Sequence, residues 1–384
     1  MNYDDTSVKL FFAAMTSILV LAPVHASDVY EDTVRINEEK QTERPSRLYR
    51  SPEERRKAGI GTEITDWLTF YGLLEIEKVN TRKHFRQNYE VADDEPSTST
   101  LQLGFDVEYA EWLEIELILE SEYARHLHQD SDTYQHDIHS KVDEAQVGID
   151  IGNVGLKFGR LYVPFGEYYS YFIVGPTLEF GETRNDAVMV DYSFAENFEV
   201  TVFAFESNAH KFNSDNDYDW GWSFELLLNN ESIRFGASYL SDLAESEKKL
   251  LEDTDNLYLR QVPAWSAYAL LGFEHFEITV ETVQALESFK ELDEIADKPS
   301  STNLEFAYFP SQTMQFAFRL AHSKELKDAS QWQHGATATW WLGKRLSYSF
   351  DYLYGTYKDG FVVDDEDREL NHEHQIAVRM AVEF

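Results

Sequence analysis

The last twelve residues constrain the fold more than any other part of the chain, because polar and apolar side chains alternate along them without a break. One face carries His374, Ile376, Val378, Met380, Val382 and Phe384, and the other carries Glu373, Gln375, Ala377, Arg379, Ala381 and Glu383. A period of two predicts a β-strand. A final strand with one apolar and one charged face, ending on an aromatic residue, is typical of barrels in bacterial outer membranes. We therefore predict an all-β fold, a transmembrane antiparallel up-and-down β-barrel integral to the outer membrane of a Gram-negative cell.

The amino-terminal segment predicts export from the cytoplasm. Residues 10–21 are apolar but too few to span a bilayer as a helix. Val24 and Ala26 then place small residues at the two positions that a signal peptidase reads, and this pattern predicts a signal peptide over residues 1–26 that is cut before Ser27. Asp4 and Asp5 are atypical of such a leader, which usually begins with positive charge.

Composition excludes several classes of protein. The formal net charge of −37 argues against binding of nucleic acid, because a polyanion would be repelled. The charge fits a surface that meets cations or lipopolysaccharide, although acidic loops kept for solubility explain it equally well. The chain has no cysteine, which excludes disulfides and thiolate metal sites. We expect no cofactor.

Two regions follow the expected signal peptide. Residues 27–65 lack strand alternation, are highly charged and contain prolines, so we predict a periplasmic lead segment that is loosely ordered or partly helical. A small plug is the alternative for this segment. From Trp67 onward the alternation recurs to the end of the chain, and we predict that residues 66–384 form the barrel.

The connections between the predicted strands follow the topology of outer-membrane barrels, with short turns on one side of the membrane and long loops on the other. About sixteen strands are expected, an even number within the range of such barrels. The long polar loops are expected near residues 79–98, 125–140, 163–185, 207–218, 241–263, 284–300, 323–331 and 355–371.

Seven of the eight tryptophans lie at the ends of the predicted strands. Those next to short turns are Trp67, Trp112, Trp340 and Trp341, and those next to long loops are Trp220, Trp265 and Trp332. Two such rings are typical of the interfacial aromatic girdles of membrane barrels. A soluble β-sandwich, the alternative fold, would place tryptophan in the middle of its strands.

If the apolar residues face lipid, the alternate residues line the lumen. The lumen wall is then expected to include Asp106, Glu108, Glu114, Glu116, Glu120, Lys157, Arg319 and Arg379, together with Glu122, Glu144, Asp150, Glu225, Arg234, Glu277, Glu281, Glu305 and Asp351. Acidic groups dominate this set, which favours cations or zwitterions over anions.

The connector over residues 160–186 is too apolar for an exposed loop and too rich in glycine and proline for a strand. Apolar loops need burial, so we predict a constriction loop folded into the lumen. The candidates for contact with solute are Arg160, Glu167, Tyr168, Tyr169, Tyr171, Glu182 and Arg184. The alternative is that this loop packs against the inner wall without touching solute.

Residues 163–168 (VPFGEY) and 175–184 (GPTLEFGETR) within this connector resemble the LbtU family of siderophore porins. The expected signal peptide, the charged lead, the length of the barrel and the terminal Phe384 are similar too. The resemblance implies a channel for passive uptake of a ferric siderophore that works without an energy-coupling plug. A general or cation-preferring diffusion porin is the alternative, and a structural or adhesive barrel is a third class.

The partners expected for such a barrel are outer-membrane lipid and lipopolysaccharide, the barrel-assembly machinery, and either a ferric siderophore or small hydrophilic solutes. The sequence leaves open whether three barrels associate into a homotrimer.

Two further chemistries were weighed. His126, His128, His136 and His139 occur in an acidic segment, and imidazole with carboxylate can bind a transition metal, but their spacing matches no defined site and a solvated loop is the alternative. No nucleophile-elbow motif occurs in the sequence, so an enzyme is not predicted.

Overall fold

The computed structural model describes residues 60–384 except for short internal gaps. The gaps are residues 87–88, 95–96, 111, 128–133, 195–196, 208–209, 212–217, 229–231, 247–249, 252–256, 293–295, 327–328 and 364–367. The predicted signal peptide and the lead segment up to residue 59 lie outside the described residues, and the division into signal, lead and barrel stays a prediction.

The described chain is built almost entirely from strands. In chain order they are β1 (Thr62–Thr65), β2 (Leu68–Phe85), β3 (Tyr89–Asp94), β4 (Ser97–Ala110), β5 (Leu113–Leu127), β6 (Tyr134–Ile151), β7 (Val154–Tyr162), β8 (Arg184–Phe194), β9 (Phe198–Glu206), β10 (His210–Lys211), β11 (Tyr218–Leu228), β12 (Ile233–Leu240), β13 (Leu257–Tyr258), β14 (Ala264–Gly272), β15 (Phe276–Ala285), β16 (Ser300–Ser311), β17 (Met314–Lys324), β18 (Trp332–Leu342), β19 (Leu346–Thr356) and β20 (Leu370–Glu383). Two short 3-10 helices, Thr177–Gly181 and Leu243–Glu245, interrupt the connections. Within the described ranges, no helix has both the length and the apolar character needed to cross a membrane.

The strands close into the antiparallel barrel of sixteen strands that the sequence predicts. The ring runs through β2, β4 to β9, β11, β12 and β14 to β20, and each strand pairs with the next one in this series. The ring closes where β2 pairs with β20, from Leu73 opposite Glu383 up to Phe85 opposite Leu370. Closure leaves no open sheet edge, which is the condition for strands to cross a bilayer with every backbone group hydrogen-bonded.

Four short strands are not counted in this ring. β3 continues the line of β4 and pairs with the upper part of β2, from Asn80 opposite Asp94 to Phe85 opposite Tyr89. β10 and β13 form a separate parallel pair between two long connections. β1 folds back on β2, with Thr62 opposite Phe70, so strand pairing already begins within the predicted lead segment.

Each barrel strand has an apolar outer face and a more polar inner face. Along β16, the outward Leu304, Phe306 and Tyr308 are exposed, whereas the inward Asn303 and Glu305 are buried. The period of two therefore has a physical cause, because hydrocarbon on one side and lumen on the other select opposite residue types.

Aromatic residues mark both ends of the outer face. Trp67, Trp112 and Trp340 are exposed beside the short turns, and Trp220 and Trp332 are exposed near the long connections. Indole rings favour the zone between hydrocarbon and water, so these two levels mark the thickness of the apolar band.

Two predicted loops are largely strand. In the predicted loop 79–98, β2 continues to Phe85 and β3 begins at Tyr89, and in 125–140, β5 continues to Leu127 and β6 begins at Tyr134. Beyond the membrane both faces of a hairpin meet water, so the alternation disappears although the backbone pairing continues. The sequence signal therefore ends at the membrane boundary and not at the end of the strand.

A charge on the outer face provides a test of the assigned lipid band. Phe306 lies near the middle of β16 and faces outward. Phe306→Arg should lower the free energy of unfolding by about 2–4 kcal/mol in lipid vesicles, the cost of arginine near the midplane of a barrel. Phe306→Leu, which keeps the position apolar, is the matched control. Urea unfolding followed by tryptophan fluorescence measures both, and equal stability of the two variants would contradict the assigned face.

Candidate channel constriction

The connection between β7 and β8, residues 163–183, lies inside the barrel and is called here the inner loop. Its first attachment is to β15, where the backbone N–H groups of Glu167 and Tyr168 donate to the Glu281 carboxylate over 2.7 and 2.9 Å. The loop forms little regular structure of its own, so its backbone donors need acceptors from elsewhere. A carboxylate on the barrel wall supplies two at once.

The second attachment is to β16 and β17. The Ser170 hydroxyl and the Tyr171 N–H each donate to the Glu305 carboxylate over 2.9 Å. Arg319 Nε donates to the same carboxylate over 2.8 Å, and its Nη1 donates to the carbonyl oxygen of Val174 over 2.8 Å. The side chains of Glu305 and Arg319 are both 0% exposed, so the loop covers a complete ion pair on the wall.

A third attachment extends to β19. The N–H groups of Ile173 and Val174 donate to Asp351 Oδ2 over 2.6 and 3.3 Å. The hydroxyls of Thr177 and Ser301 lie 2.7 Å apart, which returns the loop to β16. The inner loop is thus fixed along one side of the barrel by a row of wall carboxylates.

Apolar packing explains why this loop is hydrophobic. Phe165, Leu178 and Phe180 are almost fully buried and join a cluster formed with inward residues of the barrel wall. Leu240, Val283, Ala285 and Phe289 belong to the same cluster. A second cluster holds Tyr171, Phe172, Ala307, Phe309, Ala317 and Leu353. Burial of these side chains removes apolar surface from the water of the lumen and holds the loop in place.

The predicted contact residues divide between the wall and the lumen. Tyr168 packs against the first apolar cluster, and the buried Tyr171 donates its hydroxyl to Glu277. Burial raises the pKa of both hydroxyls well above the usual range, so these groups remain neutral. Tyr169 is half-buried, with its ring 4.9 Å from that of Tyr171.

Glu167 belongs to a charged group on the wall. Its Oε1 lies 3.1 Å from Nη1 of Arg234, whose Nη2 lies 2.7 Å from Oε1 of Glu225. All three side chains are partly accessible. Glu167 therefore meets the lumen as part of an acidic pair that shares one arginine.

Arg184 and Arg160 differ in burial but not in face. Arg184 begins β8, is half-buried and forms an ion pair with Asp143 on β6, while its guanidinium lies 5.3 Å from the ring centroid of Tyr162. Arg160 is exposed on the same face of β7 as Phe158 and pairs with Asp186, Nε to Oδ1, over 3.1 Å. Arg184 lies two residues before Asp186, so strand alternation places both arginines on the outer face, away from the lumen where they were predicted. Glu182 is half-buried at the end of the inner loop.

The residues predicted for the lumen wall lie on the inward face of their strands. Those of the predicted set are Asp106, Glu108, Glu114, Glu116, Glu120, Lys157, Arg319 and Arg379. Several are held by neighbours: the Tyr71 hydroxyl donates to Glu116 Oε1 over 2.6 Å, and Arg379 Nη1 lies 3.3 Å from Glu75 Oε1. Carboxylates outnumber basic groups among these inward-facing side chains.

The sequence analysis did not identify Lys141 and Asp143, a basic and an acidic residue that form an ion pair within β6. Lys141 Nζ lies 3.0 Å from Glu120 Oε1 and 3.4 Å from Asp143 Oδ1. Ile118 pairs with Glu144 and Leu119 with Val142, so Asp143 lies in a β-bulge that breaks the alternation of β6. No pattern in the sequence predicts this bulge.

The candidate metal ligands in the segment 125–140 gain no support from the described residues. The side chains of His126, His128 and His136 lie outside the described part of the chain, and His139 is exposed. The prediction of a solvated loop or a metal site there is untested.

Comparisons with known proteins identify the fold. The sequence matches no protein-family model and none of the curated proteins. Among solved structures, the barrel is similar to OmpF of Salmonella typhi, whose structure is a complex with daunomycin, at 14% identity and a TM-score of 0.57 over 83% of this chain and 97% of that one. An anion-selective porin from Comamonas acidovorans matches at 12% identity and a TM-score of 0.56 over 83% and 99% of the two chains. The outer membrane channel DcaP of Acinetobacter baumannii matches at 10% identity and a TM-score of 0.54 over 85% and 100%.

This chain therefore has the fold of outer-membrane porins. These structural neighbours are channels rather than enzymes. The closed ring of sixteen strands and its apolar outer band make it an integral outer-membrane protein. At such low identities the likeness concerns the fold alone, and the LbtU siderophore family is not singled out.

Proposed function

We propose that this protein is a passive channel through which small hydrophilic solutes cross the outer membrane, with a preference for cations. The observation that carries the proposal is the inner loop, which is attached to β15, β16, β17 and β19 and so narrows the lumen from that side. Sixteen strands enclose more space than side chains alone can fill. The acidic lumen wall supplies the cation preference.

Ion selectivity tests this proposal directly. In a planar bilayer with a salt gradient, the refolded barrel should give stable conductance steps and a reversal potential of the sign that potassium over chloride produces. The preference should fall as salt rises, because ions screen the wall charges. Preference for chloride, or an absence of steps, would remove the proposal.

A matched pair of variants locates the source of the selectivity. Glu108 and Glu114 face each other inside the barrel near the short turns, with carboxylate oxygens within 4.8 Å of each other and of Asp106. Glu108→Gln with Glu114→Gln should weaken the cation preference. Glu274→Gln removes a charge from an exposed short turn and should leave it unchanged. Equal reversal potentials in all variants would show that these wall carboxylates do not set selectivity.

Uptake of a ferric siderophore is the second candidate. What supports it is that the two segments resembling the LbtU siderophore porins, residues 163–168 and 175–184, are the two limbs of the inner loop and its junction with β8. If this loop meets the ligand, a ferric siderophore should interrupt the conductance steps at low concentration while the iron-free ligand does not. Glu167→Ala should alter the block, and Arg160→Ala on the outer face is the control.

The same recordings bear on uptake and assembly. Steps that pass salt freely and ignore ferric ligands would favour the general diffusion porin over the siderophore channel. Conductance that appears in triplets would indicate a homotrimer, and single steps would indicate a barrel acting alone.

A further inference from the structure

Three histidines meet where the first and last strands of the barrel join. His84 lies near the end of β2, and His372 and His374 lie near the start of β20. The register places His84 directly opposite His372. His372 and His374 are two residues apart on one strand, so all three side chains project from the same face of the sheet. Their ring nitrogens lie within 4.8 Å of one another.

This cluster faces outward at the end of the barrel that carries the long connections. It shares its face of β20 with the exposed Ile376 and Val378. Tyr352 and Tyr354 of β19 lie beside it, and the Tyr352 hydroxyl is 2.8 Å from His374 Nδ1. The three histidines are half-buried, and so lie at the boundary of the apolar band, within reach of ions in water.

The three imidazole rings do not form one continuous stack. The rings of His84 and His372 are stacked with centroids 4.5 Å apart, and the ring of His374 stands edge-on to both. Zinc binds imidazole nitrogen at about 2.0–2.1 Å, so tetrahedral ligands lie ~3.3 Å from each other. Zinc binding would therefore require the rings to rotate about their side-chain bonds, so that nitrogens now within 4.8 Å of one another approach this spacing.

Glu90 on β3 supplies a candidate fourth ligand. Oε2 of Glu90 lies 3.6 Å from Nδ1 of His84. Arg82 Nε lies 3.1 Å from the other oxygen of Glu90, so a bound cation would compete with this exposed ion pair. Three imidazoles and one carboxylate form a donor set that zinc accepts in tetrahedral geometry.

We propose that His84, His372 and His374 form a binding site for a divalent transition-metal ion of the zinc class, and that the ion joins β2 to β20. This site is independent of the channel function proposed above and of the histidines in the segment 125–140. Because its ligands come from the two ends of the barrel sequence, binding stabilises the pairing that closes the ring.

Zinc titration of the full untagged chain, refolded in detergent and followed by calorimetry and by thermal unfolding, tests the site. One zinc ion should bind per barrel and raise the unfolding temperature, because the three histidines come together only in the folded barrel. Loss of an outer-shell partner costs metal sites about 10–100-fold in affinity, so loss of a ligand in His372→Gln should cost at least that. Cobalt(II) should give the visible bands of a tetrahedral site in the wild type and lose them in this variant.

Two controls separate this site from other histidines. His322 on β17 faces outward and packs against Trp332 on the neighbouring β18. His322→Gln should leave the zinc affinity unchanged. Replacing His126, His128, His136 and His139 with glutamine should also leave it unchanged. Wild-type affinity in His372→Gln, or loss of zinc binding only when the four loop histidines are replaced, would overturn the proposal, as would the absence of a zinc-dependent rise in unfolding temperature.

Discussion

Glu305→Ala is expected to lower the free energy of unfolding of the barrel by about 3–5 kcal/mol, the cost of leaving one partner of a buried ion pair uncompensated. Glu305 and Arg319 are both 0% exposed, and Glu305 also accepts hydrogen bonds from Ser170 and Tyr171. The variant therefore removes the carboxylate to which the Arg319 guanidinium, the Ser170 hydroxyl and the Tyr171 N–H donate. Urea unfolding in lipid vesicles, followed by tryptophan fluorescence, measures the loss.

A double variant separates the ion pair from the loop attachment. Glu305→Leu with Arg319→Met replaces both charges with apolar groups, which in buried pairs often restores much of the stability. The loop donors stay without Glu305 in both variants. If the free energy of unfolding recovers in the double variant, the loss in Glu305→Ala comes from the uncompensated charge of Arg319. An equal loss in both variants would assign it to the weakened attachment of the loop. A loss under about 1 kcal/mol in Glu305→Ala would contradict the buried pairing, because that is the range of exposed ion pairs.

The fold was predictable because the membrane imposes a repeating rule on the sequence. The β20 alternation from Glu373 to Glu383 reports two different solvents on the two faces of one strand. The rule ends where both faces meet water, which is why the strand extensions up to Phe85 and Leu127 were predicted as loop. Sequence alternation therefore locates the membrane band more reliably than it locates strand ends.

The attachment of the inner loop was not predictable to the same depth. Its apolar composition indicated burial, and Glu281, Glu305 and Asp351 were expected on the lumen wall. The contact between Tyr171 and Glu305 joins residues 134 positions apart, however, and no local pattern reports such a pairing. Only the closed ring fixes which strand faces the loop.

Arg160 shows how much depends on a single step of alternation. The inward positions of β7 include Gly155 and Gly159, which carry no side chain and give no signal of polarity. Arg160 therefore resembled a lumen residue, although it shares the outward face with Phe158. At the end of a strand, an outward arginine reaches water by extending its side chain past the apolar band, so its charge does not identify its face.

Excision of the inner loop is expected to raise single-channel conductance severalfold. Replacing residues 166–181 with a short glycine-serine linker removes the segment that occupies one side of the lumen while keeping β7 and β8 joined. A matched shortening of the connection between β19 and β20, which lies at the rim, should leave conductance nearly unchanged. Planar-bilayer recordings compare the two, and equal conductance would show that the inner loop does not limit the path.

Excision also makes a prediction about ion selectivity. The carboxylates of Glu277, Glu281 and Asp351, now buried beneath the loop, would face the water of the lumen, and so would the Glu305–Arg319 pair. Three net negative charges are thereby uncovered on the wall, while the loop takes away Glu167 and Glu179. Cation preference should therefore persist in the wider channel, as measured by the reversal potential in a salt gradient. A collapse to no preference would place the selectivity on the carboxylates of the loop instead of those of the wall.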